Sequence, residues 1–235
     1  MGILKRAMFC CVCALVFFIA FAQAADKYAK RIILANKFLT NLMEVPDAQI
    51  PKALLQDCKG IIIVRQYRAG WVVGAKGGVG IAMVKDEKTG KWSPPAFVKS
   101  GEGSFGLQVG GQEIDSVFLI MNKEGMEMLM KTKFKIGVDA SAAAGPVGRD
   151  VEAKIGPGTA ILVYSRARGL YAGAAFEAGV LLSDREADEA FYKVKGITME
   201  QILFENRVKM PKEAQALAED LDRYAGVETQ GQVEK

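Results

Sequence analysis

The sequence contains no histidine. That absence excludes Ser-His-Asp and Cys-His catalysis, histidine-ligated zinc and a histidine-based pH switch. Cysteine is almost as scarce. Three of the four, Cys10, Cys11 and Cys13, lie in the first apolar stretch, which leaves Cys58 with no partner for an intramolecular disulfide. With no histidine to activate it, Cys58 reads as a buried structural residue. The chain has only 7 prolines but 25 glycines, and the glycines concentrate between residues 60 and 180. A hydrophobic content of 50% and a charged content of 25% exclude a mostly disordered chain.

Lys5 and Arg6 precede a charge-free run of 16 residues, Ala7 to Ala22, and Ala22-Gln23-Ala24 supplies a small-x-small site. This is the pattern of a signal peptide over residues 1–24, and the run is short for a membrane span of roughly 20 residues. The expected product is exported, periplasmic or extracellular, and soluble or peripherally membrane-associated. Beyond residue 24 there are 29 basic and 27 acidic side chains, too even a balance to imply nucleic acid. The charges are nevertheless unevenly placed. Lys27, Lys30, Arg31 and Lys37 face a single acid, Asp26, in the first segment, whereas twelve acids and eight bases follow from Asp184 onward.

Residues 26–45 have the spacing of an amphipathic helix closed by Pro46, and a short helix is expected around Pro51 to Gln56. From Gly60 the period changes to two. Ile61 to Val64 reads as a buried strand, Trp71 to Lys85 as a glycine-bent one, and Asp86 to Gly90 as a polar turn. Strands are also expected from Phe105 to Val109, from Ile114 to Met121 after a Gly110-Gly111 turn, and over 159–166 and 170–182. Phe134 to Ala142 gives the cleanest alternation, resumed at Val151, Ala153 and Ile155, and Glu124 to Lys131 reads as a helix. Ser183-x-x-Glu186 and Thr198-x-x-Gln201 match capping boxes, and Pro211 opens a final helix. The expected fold class is α+β. A strongly curved, glycine-rich antiparallel sheet or partial barrel is flanked by an N-terminal amphipathic helix and C-terminal helices. One domain is expected over 25–225, with the helix at 25–50, a core at 51–192, C-terminal helices at 193–225 and a polar tail at 226–235.

Gly101-x-Gly103-x-x-Gly106 matches the dinucleotide fingerprint, but strand residues follow it where a helix N-terminus is needed. Gly74 to Gly80 lacks the Gly-Lys-Ser/Thr ending of a phosphate loop. Glu113 with Asp115, and Asp184 with Glu186 and Asp188, are paired carboxylates that read as surface charges. No metal site, cofactor or catalytic residue is expected.

Gly145-Pro146-Val147-Gly148-Arg149-Asp150, Trp92-Ser93-x-Pro95 and Tyr164-Ser165-x-x-x-Gly169-Leu170-x-Ala172-Gly173 are more specific. With Gln108-x-Gly110 and Asp115-x-Val117 to Asn122, they resemble the SYLF-domain family from about Pro51 to Tyr192. This lipid-binding module is also called the actin-binding domain of yeast actin-patch proteins. The resemblance implies binding rather than catalysis. Eukaryotic relatives bind phosphoinositide membranes, partly through an amphipathic helix at the start of the domain, and some bind actin filaments. Here that helix corresponds to Asp26 to Val45.

The expected function is therefore non-enzymatic binding of an anionic lipid or membrane surface. Lys27, Lys30, Arg31 and Lys37 would supply attraction, Ile33 and Phe38 shallow insertion, and Arg149 an anion contact. The competing reading of that helix is purely structural, its apolar face packed on the sheet. A protein-interaction or envelope scaffold with an envelope protein partner is the alternative function, and a histidine-independent hydrolase a distant third. Nucleic acid and actin are not expected as partners.

Overall fold

The computed structural model describes residues 27–45, 49–70, 73–105, 110–146, 158–169 and 180–227. Its elements in chain order begin with helix α1 (27–43), helix α2 (Lys52–Asp57) and strands β1 (Gly60–Gly70), β2 (Val73–Val84), β3 (Ala96–Phe105) and β4 (Gly110–Ile120). Helix α3 (Lys123–Leu129) and strands β5 (Lys133–Lys135), β6 (Ala142–Ala144), β7 (Ile161–Gly169) and β8 (Val180–Ser183) follow. Helices α4 (Arg185–Tyr192), α5 (Met199–Leu203) and α6 (Lys212–Ala225) complete the set. The strands form one strongly curled half-barrel sheet in the order β5-β8-β3-β2-β1-β4-β7-β6. The α+β class and its flanking helices are as the sequence implies.

The unbroken apolar run Ile61 to Val64 makes sense once both faces of β1 are seen to be covered. Ile61 and Ile63 join Met83, Phe97 and Leu119 beneath α1, α2 and α6. Ile62 and Val64 join Val98, Phe118 and Ile120 against α3, β5 and α5. β1 is central, paired antiparallel with β2 from Gly60↔Val84 to Gly70↔Gly74, and with β4 from Gly60↔Ile120 to Gly70↔Gly110. β2 comes closest to the β1 backbone at Gly80. A Cβ there would strike the Ile63 carbonyl oxygen and the Val64 backbone, so no other residue lets β2 approach β1 so closely.

Several details depart from the sequence reading. The sheet is mixed, because β6 pairs parallel with β7. Gly110 and Gly111 lie inside β4, so they do not form the turn before it. The alternation from Phe134 to Ala142 is two short strands separated by a turn. Gly137 adopts φ 86° there, and the Asp139 carboxylate accepts the Lys135 N–H at 2.6 Å. Local hydrogen bonding thus outcompetes the ladder, and Val138 is exposed. Ser183 caps no helix. Asp184 occupies the N-cap of α4, and its carboxylate is taken by Arg31 and Lys99 instead of the helix amides. By contrast, Thr198 and Gln201 form the reciprocal capping box as expected. The signal peptide, the 151–155 strand, most of the 170–182 strand and most of the polar tail lie outside the described residues.

The carboxylates read as surface charges are largely internal. Asp115 is buried, and Arg65 grips it with Nε to Oδ1 at 2.6 Å and NH2 to Oδ2 at 2.8 Å, while Glu113 stands 3.2 Å from the same Nε. The Arg65–Asp115 partners face each other in the β1–β4 register, so the fork locks the two strands. The Asp115 hydrogen bond also pushes the Arg65 guanidinium further into its charged form.

Asp188 is fully buried on α4. Its Oδ1 accepts the Phe97 N–H at 2.8 Å, and its Oδ2 has no hydrogen-bond partner. Burial pushes this carboxyl up to about 8, aided by Asp184 and opposed by the Phe97 N–H and Arg31.

Replacing Arg65 with alanine leaves Asp115 charged, buried and unpaired, and the expected loss is ~3 kcal/mol in urea denaturation. A change below about 0.5 kcal/mol, the range of ordinary surface substitutions, contradicts the lock. Asp188 holds a proton in the folded chain that the unfolded chain releases from pH 3.8 upward. Its stabilising contribution is therefore present in acid and declines as pH rises toward about 8. Melting temperatures measured at about pH 5 and about pH 8 are expected to fall more in the parent than in Asp188→Asn, which still accepts the Phe97 N–H. Equal slopes in the two proteins contradict this assignment.

Candidate functional site

α1 carries the candidate site, and its placement divides its own residues. Residues 27–43 contain no acid, and apolar side chains lie around most of the circumference because Ile32, Ile33 and Leu34 are consecutive. Ile32, Ala35, Phe38, Leu39 and Leu42 recur at helical spacing and are buried in the core. The opposite stripe is Lys27, Lys30, Leu34 and Lys37, with Ile33 beside it. On that stripe Ile33 is 52% and Leu34 42% exposed.

The rotation of α1 about its axis is set by polar contacts with distant segments. Arg31 NH1 donates to Asp184 Oδ2 at 2.8 Å, and Lys99 Nζ approaches Asp184 Oδ1 at 3.4 Å. The Arg31 guanidinium also lies 4.9 Å from the Tyr28 ring centre and 5.9 Å from that of Phe97. Phe97 packs edge-on against Phe191 at 5.3 Å, and the Tyr192 hydroxyl donates to the Pro95 carbonyl at 2.6 Å. Further along α1, Asn36 Nδ2 donates to Asp220 Oδ2 on α6 at 2.9 Å. The helix is thereby stitched to β3, α4 and α6.

Of the six α1 residues proposed from the sequence, the structure brings Lys27, Lys30, Ile33 and Lys37 to the outer side. It turns the other two inward. Phe38 is 2% exposed and belongs to the core, so it is not available for insertion. Arg31 is half-buried and engaged by Asp184, which makes it a docking residue rather than a free surface cation. Arg149 lies outside the described residues. Leu34, apolar like Phe38 and one helical turn before it, is exposed on the same outer side. Tyr67, which sequence reasoning missed, is 51% exposed and lines the same shallow groove of about 50 Å³ as Leu34. Nothing local marks Tyr67, because its exposure depends on where α1 crosses β1.

The chemistry on view is that of a contact surface. Cys58 is buried, with Sγ donating to the Leu55 carbonyl at 3.3 Å, and burial pushes its thiol up to about 11. It is therefore a neutral thiol rather than a nucleophile. Among the described residues no group of His, Cys, Asp or Glu side chains is arranged to hold a metal ion, and no helix is long and apolar enough to cross a membrane. Gly101 and Gly103 of the fingerprint lie within strand β3, and Gly74 to Gly80 within β2, as their strand readings require.

Comparison with known proteins agrees with the motifs. The family model described as Ysc84, Las17-binding protein actin regulator, matches residues 101–224. Protein YSC84 of Saccharomyces cerevisiae is 32% identical over 184 residues, covering 76% of this chain and 39% of that protein. SH3 domain-containing YSC84-like protein 1 of Rattus norvegicus is 30% identical over 207 residues, covering 84% of this chain and 60% of the relative. The Homo sapiens protein of the same name is 30% identical over 198 residues, with 81% and 57% covered. The chain thus spans between about two fifths and three fifths of these relatives' length. No solved structure matches it. The family model is described as a binding protein and actin regulator, and that description lends no support to the expectation that actin is not a partner. On the family match and the relatives together, this chain belongs to the Ysc84 family, the SYLF-domain family that its own motifs resemble.

Proposed function

We propose that this protein is an exported, non-enzymatic domain that binds anionic membrane surfaces through the outer face of α1. The observation that carries the reading is the exposure of Ile33 and Leu34 between Lys27, Lys30 and Lys37 on a helix free of acids. In this mechanism α1 stays docked on the sheet. The lysines draw the domain to the surface and the two aliphatic side chains dip into the headgroup region, with Tyr67 beside them.

The magnitudes are modest. Three lysines near an anionic surface contribute roughly 3 kcal/mol together. Each half-exposed aliphatic side chain adds roughly 1 kcal/mol on leaving water. Binding of this strength is reversible and salt-sensitive, and several copies on one membrane would sharpen it. Arg31 plays a different part, because losing it would free α1 from Asp184 instead of removing a surface charge.

A second reading, capture of a protein partner on the same face, is favoured by the family description as a Las17-binding protein actin regulator. The two readings separate on vesicles. Co-sedimentation with anionic vesicles is expected to be strong at low salt and weak with neutral vesicles. Ile33→Ser with Leu34→Ser is expected to weaken it roughly ten-fold or more, and Glu at positions 27, 30 and 37 to abolish it. Melting temperatures should hardly move, since these side chains face outward. Retention of full vesicle binding by both variants sinks the α1 mechanism. Absence of vesicle binding in the parent protein sinks the lipid reading and leaves the protein-partner one.

A further inference from the structure

A second feature stands well away from the outer face of α1. Lys59 precedes β1 and Tyr67 lies eight residues further along, a separation of about 26 Å at about 3.3 Å per residue. At the Lys59 end of the sheet, a cleft of about 620 Å³ opens between the β2–β3 turn, the start of α3 and the segment after α5. That volume falls within the range of small-molecule sites, about 300–1,000 Å³.

Four lysines, Lys59, Lys85, Lys91 and Lys123, line this cleft against two acids, Asp86 and Glu87, and Glu127 of α3 stands 3.7 Å from the Lys123 Nζ. The Asp86 carboxylate is turned into its own loop. It accepts the backbone N–H groups of Lys88 and Thr89 and the Thr89 hydroxyl. Glu87 is exposed and stands 3.6 Å from Lys59. Lys85 is held in place, with Nζ donating to the Leu55 and Gln56 carbonyls and lying 5.0 Å from the Trp92 ring centre. Lysines thus outnumber acids in the lining by four to two, Lys59 and Lys123 each stand near one exposed carboxylate, and Lys85 is pre-organised.

The apolar part of the lining has a different character. Trp92, Met126, Phe204 and Met210 supply it, and Phe204 is exposed although it is large and apolar. Methionine side chains fill space adaptably, which suits a flexible chain better than a rigid planar ring. Lysines beside adaptable apolar side chains in one cleft are complementary to one type of molecule.

We infer that this cleft binds a single anionic amphiphile, with a carboxylate or phosphate-monoester head at the lysines and one alkyl chain along Met126, Phe204 and Met210. The ligand is a monomer taken from solution, not a lipid held in a bilayer, and the site is independent of the α1 surface.

Isothermal titration of the full chain with decyl phosphate below its micelle concentration tests this. One-to-one binding is expected, with decanol and inorganic phosphate each at least ten-fold weaker. Lys91→Glu with Lys123→Glu, both on exposed side chains, is expected to weaken binding at least ten-fold, and Phe204→Ser likewise. Ile33→Ser with Leu34→Ser should leave it unchanged even though vesicle binding falls. The assignment is overturned by an absence of binding, by equal binding of inorganic phosphate or of decanol, by unchanged affinity in the cleft variants, or by loss in the α1 variant.

Discussion

The Arg31–Asp184 ion pair governs how this molecule meets its surroundings. It joins residues 153 positions apart, with a separation of 2.8 Å and both side chains largely withdrawn from water. A charge-assisted contact of that kind is directional. Together with the Asn36–Asp220 hydrogen bond and the buried stripe of Ile32, Ala35, Phe38, Leu39 and Leu42, it fixes the rotation of α1, and that rotation decides which of three consecutive aliphatic residues faces the core. Ile32 goes inside, and Ile33 and Leu34 are left outside among lysines. Had the helix turned by about one residue, or about 100°, the cationic stripe and the apolar exposure would no longer coincide.

The acceptor side of that pair is itself built into the core. Asp184 sits at the head of α4, and Asp188 one turn later receives a backbone N–H from Phe97 on β3. The rings of Tyr28, Phe97 and Phe191 pack through the same junction. Asp184, in the acid-rich last third of the chain, thus serves as an internal anchor for Arg31 in the basic first segment. The uneven charge distribution visible in the sequence is to that extent an architectural feature, with Lys27, Lys30 and Lys37 exposed on the outer side of α1.

Much of the fold was legible because its signals are local. Ile61 to Val64 announces a strand covered on both faces, Pro51 and Pro211 stand at the heads of helices, and Thr198 with Gln201 closes a reciprocal cap. Signals that depend on distant partners were not legible. Phe134 to Ala142 alternates as a strand would, yet Gly137 and Asp139 turn the chain. Asp115 and Asp188 look like surface acids until Arg65 and the Phe97 N–H are brought to them by the sheet. The division of α1 into inner and outer residues belongs to the same category, since apolar periodicity alone assigns Leu34 and Phe38 to one face. The basic cleft is still less visible, because its lysines and its apolar lining come from four separated segments.

The central claim is that the outer face of a docked α1 enters the anionic headgroup layer. The most direct measurement is acyl-chain quenching of a tryptophan placed at that face. In Leu34→Trp, the added emission is expected to be quenched by anionic vesicles carrying brominated lipid, and to be unaffected by neutral vesicles. Emission from that position that stays unquenched while the protein is fully vesicle-bound would contradict the account.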